Sequence, residues 1–428
     1  MERQSFSKKR KSPIEIPYGK GKIALDLPKG LGYDFLRPNP VFPAADPLRE
    51  VIESLENPLG DKRLEDFSGA RSIAIAISDE TRPVPYGFVL LPLLEKLRKM
   101  GISNSAVHIL IASGLHKPMP PSRFSRLLPA EVIDHYFVTA HDANRSDLEY
   151  GGKTSRGTPV FVNPLFYKAD ARLAIGLIDP HQFVGFTGGV KCAAIGLAGA
   201  ETIEANHSML SHPQASIGEI VNNPVRQDIE EIGKLMGVHF VTNVVLDESN
   251  HIIKAFSGDP WVVENIGSEF CRKVYEIKVS KEYDVVIASP GGYPKDIDLY
   301  QAQKGLAHAI PLVRQGGDVI LLAECPDGHG NELFYETMEK YRNPQEVVMA
   351  FQREKFRMGV HKAFLWARSL TKARVYLYSN LSEELNHRLM TTPVKNIEEL
   401  FLSLKTKYPR SPKIAVMPKA NSTYARVV

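Results

Sequence analysis

Four side chains suited to proton transfer, covalent attachment or metal binding lie in polar segments: His116, His181, Lys191 and His207. Histidine titrates near neutral pH, so His116 and His181 are candidate acid/base groups. His116 follows Gly114-Leu115. His181 opens the segment Asp179-Pro180-His181-Gln182-Phe183-Val184-Gly185-Phe186-Thr187-Gly188-Gly189-Val190-Lys191. Gly188 and Gly189 permit a ligand to approach the backbone closely, and their amides could cradle an anion. Lys191 then reads either as an electrostatic anion contact or as an amine that anchors a cofactor covalently. His207, in Glu204-Ala205-Asn206-His207, offers an imidazole suited to Ni, Cu, Zn or Fe. No second His or Cys sits nearby at zinc-site spacing, so a metal at His207 would take most of its ligands from a cofactor. Asp79 and Arg82 stand three apart, and the planar guanidinium of Arg82 matches a carboxylate or phosphate. Gln301 and Lys304 are also three apart, at a helix start. They share a face and could read a small carboxylate. Taken singly, each of these residues is as readily a cap, a surface ion pair or a packed histidine.

The elements that must position them follow an α/β rhythm. Ile14–Leu27 reads as a hairpin around Tyr18-Gly19-Lys20-Gly21, and a short helix is expected near Pro47–Glu56. Apolar runs predict strands at Ser72–Ile77, Ala106–Ala112, Arg172–Ile178 and Val238–Leu246, with a helix over Phe88–Met100. Ser280–Asp284 reads as a hinge. Beyond it, strands are expected at Val285–Ser289, Asp318–Ala323, Arg374–Tyr378 and Lys413–Met417. Helices are expected at Ala302–Arg314, near Asn343–Glu354, at His361–Ser369 and at Ile397–Lys405. This pattern implies two α/β domains with parallel sheets, the C-terminal one Rossmann-like. The expected boundaries are an N-terminal domain over 1–279, a C-terminal domain over 280–417, and a tail over 418–428 that folds back on the N-terminal domain. The polar motifs fall just past strand ends, where such sheets bind ligands, which predicts an active-site cleft between the domains.

Bulk properties agree with a soluble globular protein. The 428 residues exceed one ordinary domain, and 43% hydrophobic with 24% charged residues is typical of globular chains. A net charge of +4 gives no argument for nucleic acid or membrane partners but suits a small anionic substrate. Three cysteines, an odd number without zinc-knuckle spacing, argue against a disulfide framework and for a cytoplasmic setting. The cluster Lys8-Lys9-Arg10-Lys11 is not followed by an apolar stretch, so it reads as a solvated tail rather than a signal peptide.

In combination these motifs resemble the nickel-dependent lactate racemase family. The resemblance runs from about residue 10 to 420 and rests on five segments in order. They are Ser78-Asp79-Glu80-Thr81-Arg82-Pro83, Gly114-Leu115-His116, Asp179 to Lys191, Asn206-His207, and Gly291 to Lys304. The resemblance implies a nickel-pincer nucleotide, a pyridinium-3,5-dithiocarboxylic acid mononucleotide carrying nickel. It implies covalent attachment at Lys191, contacts at Asp79, Gly188 and Gly189, and nickel ligation by His207. His116 and His181 would be the acid/base pair. Arg82, Tyr300, Gln301, Lys304 and Trp366 would bind substrate. Lys191-Cys192-Ala193-Ala194-Ile195-Gly196 lacks a proline found in many relatives, which concerns loop shape and leaves Lys191 intact. Cofactor-biosynthesis proteins are implied partners, and an overproduced chain can lack the cofactor.

The implied reaction is racemisation or epimerisation of a lactate-like 2-hydroxyacid. The α-hydrogen of an ionised 2-hydroxycarboxylate is a poor acid. It leaves more easily as hydride while a base takes the hydroxyl proton. Return of hydride to the other face inverts the centre, and two histidines serve the two enantiomers. Two other readings stand beside this one: an NAD-dependent 2-hydroxyacid dehydrogenase, which the missing G-x-G-x-x-G counts against, and a non-catalytic carrier of the nickel cofactor.

Overall fold

Ile73–Ser78 is built of alternating Ile and Ala, and Ile73 to Ile77 are all buried. A run with no polar alternation suits a strand covered on both faces, and it occupies the middle of a parallel sheet. The chain is described by a computed structural model that covers residues 13–27, 31–353, 356–357 and 359–428. The basic cluster Lys8–Lys11 lies outside the described residues, as does Glu354 at the expected end of one helix.

The chain divides into two compact units. Among the described residues, one comprises 40–274 and the other those up to 39 together with those from 275 to 428. In the first unit a six-stranded sheet runs in the order Ile252–Gly258, Phe240–Leu246, Ala171–Leu177, Ile73–Ser78, Val107–Ala112 and Phe137–Ala140. Its pairings are parallel except for Phe240–Leu246 with Ile252–Gly258. Ser78 pairs with Ala112 and Ile77 with Ile175, so three neighbouring strands end at one edge of the sheet. The core beneath packs the isoleucines of these strands against Val89, Leu90, Leu93 and Leu97 of helix Tyr86–Lys99.

The second unit holds another six-stranded sheet, parallel throughout. Its order is Thr392–Val394, Arg374–Tyr378, Val313–Leu322, Tyr283–Ala288, Ile414–Met417 and Tyr33–Phe35. Helices Leu299–Ala309 and Val360–Lys372 pack on it through Leu306, Ala363 and Trp366. This is the Rossmann-like arrangement expected for the C-terminal domain.

Two features of domain organisation differ from the sequence reading. The boundary expected at 279/280 falls at Val274/Tyr275, and the described residues up to Asn39 group with the C-terminal unit. The reason is pairing: Tyr33–Phe35 adds an edge strand to Ile414–Met417. The terminal segment expected to fold back on the N-terminal domain instead pairs Tyr424–Val427 in parallel with Glu276–Val279, inside its own unit. The expected hinge also shortens, because Tyr283 and Asp284 already belong to a strand.

All three cysteines are free. Among the described residues no helix is long and apolar enough to cross a membrane.

Candidate active site

The carboxyl ends of the three aligned strands carry Asp79, His116 and His181. Asp79 directly follows Ile73–Ser78. Thr81 donates to Asp79 Oδ1 from its amide at 3.1 Å and from its hydroxyl at 2.5 Å. His116 sits in a turn closed by its amide donating to Ser113 O at 3.0 Å. Gly114 takes φ +55° there, and its amide donates to Gly196 O at 3.0 Å. The turn delivers His116 Nδ1 to within 2.7 Å of Asp79 Oδ2. Burial alone would raise the Asp79 carboxyl, but the hydrogen bonds from His116 and Thr81 outweigh it and hold the group below its usual range. The ionised carboxylate only accepts, so a hydrogen rests on His116 Nδ1, which leaves Nε2 as the ring nitrogen that exchanges a proton. That arrangement suits a general base: the carboxylate orients the ring and stabilises the imidazolium after proton uptake.

His181 lies in a two-residue ladder, with Pro180 opposite Phe186 and His181 opposite Gly185. The Val184 amide donates to its Nδ1 across 3.4 Å. Phe183 places its ring edge-on to both neighbours, 4.7 Å from His181 and 5.2 Å from His207 by ring centroids. Two of the expected functional histidines, His181 and His207, therefore flank one aromatic ring. Burial, with the nearby Lys191 charge, pushes His207 down to about 3, so its imidazole is neutral at physiological pH.

Lys191 begins the helix Lys191–Gly196. Burial and the positive charges of Arg82 and Arg226 bring its amine down to about 7. Half of such amines are unprotonated near neutral pH, which is the condition for nucleophilic attack. Its neighbour Cys192 moves the other way. Burial pushes that thiol up to about 11, leaving it a poor nucleophile.

One of the two loop amides expected to cradle an anion has a partner within the protein. The Gly189 amide donates to Asn243 Oδ1 at 2.7 Å, so it is already committed within the protein. Gly188 O accepts from the Arg226 guanidinium at 3.4 Å and from the Lys191 amide at 3.1 Å. Gly188 has φ +102°, and a Cβ there would lie 2.5 Å from Ile178 Cγ1. A Cβ at Gly189, φ +54°, would lie 2.9 Å from Arg226 Nη2. Glycine is required so that the loop can settle over Arg226 and Glu264. Arg226, 1% exposed, bridges Glu230 at 2.5 Å and Glu264 at 3.3 Å. Burial raises the Glu264 carboxyl to about 7. The sequence reading missed this support, although Asn223-Pro224 and Gly237 mark a capped helix over Pro224–Met236 that carries Arg226 and Glu230.

The C-terminal unit holds the remaining expected residues. Asp298 caps the helix Leu299–Ala309 by accepting from the Gln301 amide at 2.7 Å. Lys304 Nζ donates to Gln301 Oε1 at 3.0 Å, so the amide and ammonium share a face as their spacing predicts. Tyr300 is part-buried with Lys362 Nζ 5.1 Å from its ring centroid. Trp366 departs from expectation. It is fully buried, packs edge-on against Phe334, and donates its indole N–H to Leu389 O at 2.9 Å. An indole enclosed in this way is a core residue of its unit, not a wall of a substrate pocket.

The family described as lactate racemase N-terminal domain matches residues 18–218, and lactate racemase C-terminal domain matches 278–424. The chain belongs to the lactate racemase family. It is 34% identical to a lactate racemase of Thermoanaerobacterium thermosaccharolyticum over 96% of this chain and 99% of that one. It is 30% identical to a lactate racemase of Lactiplantibacillus plantarum over 86% and 89% of the two chains. The apoprotein structure from T. thermosaccharolyticum superposes with a TM-score of 0.90 over 97% of this chain and 100% of that one. A Thermotoga maritima protein, 18% identical, shares the fold at a TM-score of 0.64 over 91% of this chain and 100% of that one. Family membership makes the chain an isomerase.

The residues present fit a nickel cofactor anchored at Lys191. Lys191 offers an amine half-unprotonated near neutral pH, and His207 a neutral imidazole. Among the described residues no group of three or more His, Cys, Asp or Glu side chains is gathered for a metal. A metal held by His207 would therefore draw its other ligands from a bound organic group, as the nickel-pincer nucleotide provides.

Proposed function

We propose that the enzyme interconverts the enantiomers of lactate or a closely similar short 2-hydroxycarboxylate. His116 and His181 are the acid/base pair, Lys191 the covalent anchor of a nickel-pincer nucleotide, and His207 its nickel ligand. The observation that carries this reading is the 2.7 Å bond between His116 Nδ1 and Asp79 Oδ2 at the strand exits. With a hydrogen held on Nδ1 by the carboxylate, His116 takes the hydroxyl proton on Nε2 from a group within about 3 Å. When bound, the cofactor supplies an electrophilic ring that accepts hydride. The chain's own residues do the rest. Arg82 pairs with the substrate carboxylate through its planar guanidinium. Gln301 and Lys304 are proposed as further carboxylate contacts. His181 returns or removes the proton for the opposite enantiomer. The relatives named lactate racemase support the choice of substrate.

The test uses chain produced together with the cofactor-biosynthesis proteins and nickel. Chiral chromatography should show L-lactate converted to a mixture of both enantiomers. His116→Ala and His181→Ala should each abolish turnover and retain nickel and the Lys191 adduct. No interconversion of any short 2-hydroxyacid, by protein shown by mass spectrometry to carry the adduct, would overturn the reading.

A further inference from the structure

One buried polar cluster in the N-terminal unit plays no part in the proton chemistry described so far. Asp228 is fully buried on helix Pro224–Met236. Its Oδ1 accepts from the Thr154 hydroxyl at 2.5 Å, and its Oδ2 accepts from the Thr158 hydroxyl at 2.9 Å. The Thr158 amide in turn donates to Thr154 Oγ1 at 3.2 Å. Asp228 Oδ2 also accepts from Asn206 Nδ2 at 2.9 Å. The second Asn206 Nδ2 hydrogen goes to Val225 O at 3.1 Å.

These contacts determine which way the buried Asn206 amide points. A flip would turn its oxygen toward a carboxylate and a backbone carbonyl, two acceptors with nothing to donate. The amide oxygen is thereby directed to His207, where Oδ1 lies 3.0 Å from ring Nδ1. An amide oxygen only accepts, so Nδ1 must carry the hydrogen. A neutral ring protonated at Nδ1 has its lone pair on Nε2.

We propose that Thr154, Thr158, Asp228 and Asn206 form a positioning chain that locks His207 in the Nδ1–H tautomer and so assigns Nε2 as the nickel-binding nitrogen. The inference rests on the reading of His207 as the nickel ligand. Metal-bound histidines are commonly oriented by a carboxylate or carbonyl on the ring's other nitrogen. Here the acceptor is the adjacent residue of the same helix, and its orientation is set by a carboxylate on another. Asn206 and Asp228 act through His207, not on substrate.

The tautomer can be read without nickel. In full-length apoprotein with 15N-labelled histidine, a two-bond 1H–15N correlation spectrum distinguishes Nδ1–H from Nε2–H rings, and His207→Gln identifies the His207 signals. The wild-type ring should be in the Nδ1–H form, and Asn206→Ala should shift it toward Nε2–H. A wild-type ring in the Nε2–H form overturns the proposal, even if Asn206→Ala fails to fold. Nickel retention is the second readout, with chelator challenge of loaded enzyme followed by metal analysis. Asn206→Ala should weaken nickel retention by about 10–100-fold. Retention equal to wild type in Asn206→Ala, with nickel lost from His207→Gln, overturns the positioning role alone. Nickel held as well by His207→Gln as by wild type overturns the ligand reading on which the proposal rests.

Discussion

His116 Nδ1 and Asp79 Oδ2 lie 2.7 Å apart, although 36 residues, among them a helix and a strand, separate them in the chain. The pair exists because two parallel strands end level and a turn at Gly114 brings the ring back toward Asp79. Asp79→Asn removes the charge that stabilises protonated His116 and lets the amide dictate the wrong tautomer. Turnover per nickel-loaded molecule should fall about 10²–10⁴-fold. The substitution also has a pH signature. The Asp79 carboxyl is held below its ordinary value of 3.8, so its stabilising contribution is present above that value. It is lost as pH falls through the lower folded-state value. Thermal melting followed from pH 6 to pH 2 should decline less steeply for Asp79→Asn than for wild type.

Lys191 should react as an unusually free amine. Its folded-state value near 7, against 10.5 ordinarily, leaves a large neutral fraction at pH 7.5, where surface lysines are almost wholly charged. Limited treatment of apoprotein with an acylating reagent, followed by peptide mass spectrometry, should show Lys191 modified ahead of surface lysines such as Lys99. The stability sign is the reverse of that for Asp79. The unfolded chain keeps the Lys191 proton up to about 10.5 and the folded chain only to about 7, so folding is increasingly favoured as pH rises between them. Lys191→Met should abolish that part of the rise in melting temperature. Equal modification of Lys191 and Lys99 would contradict the depressed value.

Much of this architecture was legible because it is local. The apolar run at Ile73–Ser78 and the motif residues just past it mark a strand exit without any tertiary knowledge. The same holds for His116 and His181 and for the Gln301–Lys304 contact, where three-residue spacing on a helix is enough. What was not legible depends on distant pairing. Tyr33–Phe35 joins the C-terminal unit by pairing with residues 414–416, and Tyr424–Val427 pairs with Glu276–Val279. Neither short strand has a pattern that names its partner. The glycines at 188 and 189 were recognisable as special, but the packing that also requires them was not. It lies in Arg226 and Glu264, on helices that begin 35 and more residues later. Trp366 shows the opposite error: a residue type suited to a pocket sits in the core because its helix packs that face on the sheet.

Gly188→Ala tests the packing account of the glycine-rich loop. The new methyl would meet Ile178 Cγ1 at 2.5 Å and Glu264 Oε2 at 2.9 Å, at a backbone φ of +102° that L-residues avoid. Local strain of this kind costs about 1–3 kcal/mol. Urea denaturation of the apoprotein should therefore show that loss with no cofactor present. If the glycine were needed only for ligand approach, apoprotein stability would be unchanged and only nickel loading would fall.

Arg226→Met separates the support of the loop from the chemistry above it. The guanidinium is 1% exposed and is held by Glu230 and Glu264 while it donates to Phe186 O and Gly188 O. Removing it leaves two acidic side chains without their cation and two loop carbonyls without a donor. Breaking a buried pair from one side costs about 3–5 kcal/mol, more than the pair itself is worth, because the remaining charge stays desolvated. The penalty should shrink as pH falls, since Glu264 is already raised to about 7 and takes up a proton once Arg226 no longer opposes it. Arg226→Met combined with Glu264→Gln should recover part of the loss at neutral pH. A single variant as stable as wild type would mean that the loop is held by Asn243 and Ile178 alone, with the ion pairs beneath it incidental.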